Sequence, residues 1–138
     1  MAAQTKSRIF RVISPVVPEP AQGMWSNCLV VDGVAYVAGM TARDKDGNVV
    51  EGDEYEQARM IFSKIRSMVE AAGGLMADVV KLTIFVTDIK QRQRVWLARR
   101  EFFNGDFPVS TLVQVAALAE PTIRVEIGAV AHIGSSQR

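Results

Sequence analysis

Residues 107–131 read FPVSTLVQVAALAEPTIRVEIGAVA, and their side chains alternate with the period of a β-strand. The alternation predicts two strands joined by a short turn at residues 119–121. In the second strand Ile123, Val125, Ile127 and Ala129 point one way, and Arg124, Glu126 and Gly128 the other. Burying a lone carboxylate in mid-strand is prohibitively costly, so it must be solvated in a cleft, paired or used. Glu126 is therefore the first candidate for chemistry.

Upstream, residues 8–13 predict a short strand stopped by Ser14-Pro15. Residues 15–23 hold three of the chain's five prolines and predict a rigid extended loop. Trp25 closes that loop, just before the apolar run at residues 28–31. Asp32-Gly33 then separates this run from residues 34–38 and is the strongest hairpin signal in the chain, because both residues suit the positive φ of a type I′ turn. Gly39 follows the second strand, and Asp46-Gly47 marks another turn.

From Asp53 the period lengthens. Ala58, Ile61, Phe62, Ile65, Met68, Val69 and Ala72 recur at helical spacing, with Asp53 and Glu56 placed as a capping box and Gly73-Gly74 as the stop. Residues 79–87 predict a strand whose aliphatic face is Val80, Leu82, Ile84 and Val86. Asp88 is expected to cap a second helix over residues 89–103, with Gln91 at the box position. Its apolar stripe is narrow: Val95, Ala98 and Phe102. Trp96 and Phe103 stand about a quarter-turn away, given ~100° per residue, which predicts a second contact surface between subunits.

The order predicts an α+β domain over residues 1–138, with residues 1–7 as a frayed tail. It should contain one mixed sheet of about six strands, a hairpin at each end and both helices on one face. The other face, with Glu126 and polar or small groups, is expected to be covered by self-association.

Sixteen basic and fifteen acidic residues give a net charge of +1, which argues against a generic polyanion binder. Lys90, Arg92, Arg94, Arg99 and Arg100 are spread around their helix, so nucleic acid is not an expected partner. No run approaches the length of a membrane span, and the first residues lack the apolar core of a secretory signal. With one cysteine, Cys28, the expected location is the cytoplasm. Cys28 reads as a buried apolar residue. His132 is the only histidine and has no partner for acid/base or metal chemistry, Ser110 has no base in sight, and no cofactor is implied.

Taken together, WSNCLVVDGVAYVAGM, EQARMIFSKIRSMVEAAGG, DVVKLTIFVTDI, FFNGDFPVSTLVQVAAL and RVEIGAVA resemble the RidA/YjgF family of enamine and imine deaminases, also termed L-PSP-type endoribonucleases. The resemblance runs from about Gly23 to Ala131. It implies a chorismate-mutase-like fold, a homotrimer with small-molecule clefts between subunits, and hydrolysis of reactive enamines or imines to a carbonyl compound and ammonia. By the same resemblance, Trp25 stands where an aromatic, usually tyrosine, ends the proline loop. Ala38 and Gly39 take the places of a small residue and a glycine, and Glu126 that of a glutamate that positions or activates water. Trp96 replaces an asparagine found in many members. Ser110 stands where the family's deaminases carry an arginine that grips the substrate carboxylate, a task a hydroxyl cannot perform. That departure predicts poor binding of 2-aminoacrylate-type acids, with Arg43 or Arg124 as alternative sources of a guanidinium. It also leaves open a non-catalytic or regulatory trimer that holds a small ligand. The family name and the basic second helix suggest RNA cleavage as a third reading.

Overall fold

The computed structural model describes residues 6–137, so the expected frayed tail lies outside the described residues except for Lys6 and Ser7, which have no regular structure. Eight main elements follow one another: β1 (Ile9–Arg11), β2 (Cys28–Val31), β3 (Val34–Met40), α1 (Glu54–Ala71), β4 (Val79–Val86), α2 (Arg92–Arg100), β5 (Val109–Gln114) and β6 (Val125–His132). The strands form one mixed sheet in the order β1-β2-β3-β6-β4-β5. The expected α+β layout is what the chain adopts.

The turn between β2 and β3 has φ of 49° at Asp32 and 79° at Gly33, as a type I′ hairpin requires. α1 begins with a complete capping box: Asp53 accepts from the Glu56 N–H, and the Glu56 side chain accepts from the Asp53 N–H. It ends in a Schellman motif, where Gly74 N–H donates to Val69 O and Gly73 N–H to Glu70 O, with Gly73 at φ 92°. Ala58, Ile61, Phe62, Ile65, Met68 and Val69 are all fully buried, and α1 packs against β3, β6 and α2.

The C-terminal end differs from the expected hairpin. β5 and β6 do not pair. β5 runs parallel to β4 as an edge strand after the α2 crossover, and β6 inserts antiparallel between β3 and β4. Residues 115–124 therefore cross the sheet rather than making a tight turn. The reason is burial: Val125, Ile127, Ala129 and Ala131 are sealed under the helices, which only an interior strand allows, whereas β5 is exposed at five of its six residues.

Three smaller expectations are also corrected. A register shift between Val79 and Lys81 turns Val79 inward and leaves Val80 exposed, so the aliphatic face of β4 is Val79, Leu82, Ile84 and Val86. Asp88 bonds the Lys90 N–H and opens a 3₁₀ turn, Ile89–Gln91, rather than a box. α2 stops at Arg100, which lets Phe103 swing into the core edge-on to Phe62, 6.1 Å between ring centroids. Phe103 is thus core, not a contact surface.

The sheet face away from the helices is more apolar than expected. Register places Tyr36 beside Val130, and Val113, Phe85 and Glu126 in one row across β5, β4 and β6. Tyr36, Val109 and Val113 are 52%, 68% and 41% exposed there.

Candidate active site

Two devices fix where Glu126 sits. The first is Gln57, a buried amide on α1. Its Nε2 donates to Thr122 O at 2.8 Å, and its Oε1 accepts from Arg124 N–H at 2.8 Å, which clamps the run into β6. The second is a β-bulge in β3. Val37 pairs with Ala129 and Met40 with Ile127, so Ala38 and Gly39 together oppose Gly128. The extra residue returns Met40 to the core and brings the main chain of Gly39 under the neighbouring carboxylate. A Cβ on Gly39 would stand 2.5 Å from Glu126 Oε2 and 2.9 Å from its Cδ. Because φ at Gly39 lies outside the left-handed region, alanine is conformationally acceptable there and would act by pushing the carboxylate aside. Gly39→Ala is accordingly expected to keep its thermal midpoint within a few degrees of wild type while any Glu126-dependent turnover falls by about tenfold or more. Melting and rate measurements on the same sample check this.

Glu126 opens into a cavity of about 340 Å³ at the end of the sheet, lined also by Gly39, Trp25, Arg43, Lys64 and Ile123 and walled by the proline loop. Asn27 holds that wall: its Nδ2 donates to Pro18 O at 2.9 Å, and its Oδ1 accepts from Trp25 Nε1 at 3.3 Å. Burial pushes the Glu126 carboxyl above its ordinary pKa. Among the described residues no hydrogen bond or ion pair engages it, so within the chain the carboxylate is not paired, with Arg124 or with any other cation. The two cations of the cavity are occupied. Lys64 Nζ donates to Thr41 O at 2.8 Å and Arg43 O at 3.2 Å, and its pKa is lowered by burial and then by Arg43. Arg43 bonds Gly47 O at 2.9 Å and pairs with Glu120 at 3.4 Å. The arrangement provides one proton-active carboxylate in a partly dry pocket, with its oxygens unclaimed.

The structure brings Trp25, Gly39, Glu126 and Arg43 together, with Ala38 beside Gly39 in the bulge. It does not bring the other predicted residues to them within one chain. Trp96 lies on α2 with Arg92 stacked 5.8 Å from its ring centre, in a separate cavity with Lys90, Arg94 and Leu97. Ser110 pairs in register with Leu82, so it faces the helix layer, and its Oγ accepts from Arg99 Nη1 at 3.1 Å. The Arg124 side chain lines a third cavity with Asp53 and Thr122. Asn27 and Lys64 were not singled out from sequence. Asn27 adjoins Trp25 at the strand entry, a signal that could have been used; Lys64 is one more polar residue on an amphipathic helix. Burial pushes the Cys28 thiol up to about 11, which leaves it inert as a nucleophile at neutral pH. Among the described residues no group of three or more His, Cys, Asp or Glu is placed to hold a metal ion, and no helix is long and apolar enough to cross a membrane.

Against known proteins, the family model for endoribonuclease L-PSP matches residues 17–133. The chain belongs to the endoribonuclease L-PSP family. Solved structures agree. A protein of unknown function from Pseudomonas aeruginosa is 34% identical, with TM-score 0.82 over 91% of this chain and 93% of that one. RidA from an Antarctic Psychrobacter is 28% identical, with TM-score 0.82 over 90% and 99%. A putative endoribonuclease L-PSP from Entamoeba histolytica is 28% identical, with TM-score 0.83 over 91% and 99%. These likenesses place the chain among RidA/L-PSP proteins over nearly the whole of its described length.

Proposed function

We propose that this L-PSP family chain hydrolyses reactive enamines and imines to a carbonyl compound and ammonia, in clefts completed by further copies of itself in a cytoplasmic homotrimer. The observation that carries the reading is the Glu126 carboxyl, partly desolvated, unpartnered and laid against bare main chain at Gly39. Burial favours the protonated, proton-donating form of this carboxyl over that of an ordinary one. Protonation of the enamine carbon by Glu126 gives an iminium and leaves the carboxylate. Water then adds to the iminium carbon and passes a proton back to that carboxylate, and the carbinolamine collapses to carbonyl and ammonia, the nitrogen taking up the proton it needs to leave. Trp25 supplies an apolar wall. The exposed Tyr36, Val109 and Val113 on the same sheet face as Glu126 support self-association there.

RNA cleavage would need a second proton-transfer group beside Glu126. The two cations of the cavity, Lys64 and Arg43, are instead held by main-chain carbonyls and Glu120. The test is to add the protein to a flavin-dependent amine oxidase that generates imines without a carboxylate, in the presence of semicarbazide. Faster release of carbonyl product, at the expense of trapped semicarbazone, is expected. Unchanged partitioning with several oxidase substrates would overturn the deaminase reading and leave the non-catalytic ligand-binding trimer.

A further inference from the structure

We infer that Lys64 is a carbonyl-reactive amine whose Nζ condenses with small apolar aldehydes in the Glu126 cavity to form a Schiff base. The side chain leaves α1 half-buried and lines that cavity beside Arg43. None of the five ion pairs among the described residues includes it. The carboxylates that share the cavity are engaged elsewhere or stand farther off. Glu19 pairs with Arg11 at 2.5 Å, Asp44 accepts from the N–H of Asp46 at 2.9 Å and of Asn48 at 3.0 Å, and Glu126 lies beyond ion-pair distance. A half-buried amine without a counter-charge, next to another cation, is the arrangement that activates lysine as a nucleophile.

The hydrogen bonds of Nζ hold it without consuming it. It donates to Thr41 O at 2.8 Å and to Arg43 O at 3.2 Å. Two acceptors use both N–H groups of a neutral amine, and the one remaining position on the tetrahedral nitrogen, its lone pair, has no partner among the described residues. Burial, and then Arg43, lowers the pKa, so at any pH a larger share of this amine is neutral than of an exposed lysine. Condensation also needs an acid, and Glu126 lines the same cavity. Nζ adds to the aldehyde carbon, and the carbonyl oxygen takes the proton that nitrogen sheds, giving a carbinolamine. The Glu126 carboxyl protonates the hydroxyl, which leaves as water, and the carboxylate recovers a proton from the iminium nitrogen. Aldehyde and amine thus give imine and water with no change of oxidation state. Val17, Pro18, Trp25 and Ile123 line the cavity too, which selects an uncharged, apolar aldehyde. Nothing in this reaction depends on imine hydrolysis, so the two readings can fail separately.

The experiment incubates the folded protein with limiting isobutyraldehyde and sodium cyanoborohydride, which reduces a Schiff base to a stable secondary amine, and maps the added mass to individual lysines. The chain carries its own controls, because Lys6, Lys45, Lys81 and Lys90 are all exposed. Expected is labelling of Lys64 about fivefold or more above that of any of these, with the preference levelled when the protein is unfolded in urea. Glu126→Gln should slow labelling of Lys64 several-fold and leave the other four lysines unchanged. Labelling of Lys64 no greater than that of the exposed lysines, or a preference that persists in urea, overturns the inference. An unchanged rate in Glu126→Gln overturns the acid role given to that carboxyl.

Discussion

Glu126→Gln is expected to reduce imine turnover by about 10²–10⁴-fold, the usual contribution of a single proton-transfer group, while leaving the protein at least as stable as wild type at pH 7. The two halves come from one cause. Burial raises the Glu126 pKa, so between the ordinary carboxyl value and the raised one the folded chain binds a proton that the unfolded chain has released. Stability contributed by the neutral carboxyl is therefore full below the unfolded pKa, falls as pH climbs through that interval, and stays reduced above it. Glutamine keeps the shape and carries no charge, so its advantage appears at neutral pH and vanishes in acid. The same titration predicts that wild-type kcat/KM for enamines falls as pH rises past the raised pKa, because the donor proton is gone. Parallel rate and urea-unfolding profiles check both limbs. A glutamine variant that is less stable at pH 7 would mean that the carboxylate is held by a cation and is not waiting for substrate.

The largest effect on stability is expected at Asp78. It is fully buried, and its Oδ2 accepts from the N–H of Leu75 and of Gly134, both at 2.9 Å, while Oδ1 accepts from the N–H of Ser136 at 2.8 Å and from its hydroxyl. One carboxylate thus ties the residues after β6 to the turn before β4. Burial alone would raise its pKa, yet the hydrogen bonds from Ser136, Gly134 and Leu75 outweigh that and hold it at about 2. Asp78→Ala leaves three main-chain donors without a partner and should cost on the order of 3–5 kcal/mol at pH 7. Because the folded pKa is depressed, the contribution is present above the unfolded value and is lost as pH falls toward about 2. The gap between wild type and variant should accordingly narrow steadily between about pH 4 and pH 2. Denaturant midpoints across that range measure it; a gap that stays constant would show that the charge is irrelevant.

What the sequence made legible was what local chemistry decides. The Asp32-Gly33 turn, the Asp53–Glu56 box, the Gly73-Gly74 stop and the inward set of β6 each depend on residues near one another in the chain, and all are found. Strand order was not legible at the C-terminal end, because period 2 says which way Val125 points and not which strand lies beside it. β6 lies between β3 and β4 because it is the most continuously buried strand, a property of the assembled sheet. Asp78 and Gln57 escaped notice for a related reason. Each reads as a polar residue in a link or on a helix, and its role depends on main-chain groups 56 or more residues away. At the site, Glu126, Trp25 and Gly39 were legible and do meet. Of the two arginines the sequence offered as a replacement guanidinium, Arg43 does reach the Glu126 cavity, whereas Arg124 lines a separate one, because which cavity a long side chain enters depends on the assembled fold.

The bulge at Ala38–Gly39 also limits how this cavity can be reshaped. Its floor is polypeptide backbone with no room for a side chain, so mutation cannot deepen the hollow there and can only crowd it. Any drift in ligand preference, in nature or in the laboratory, is left to the rim, at Trp25, Arg43 and the proline loop, where bulk and charge can change without displacing the acid beneath.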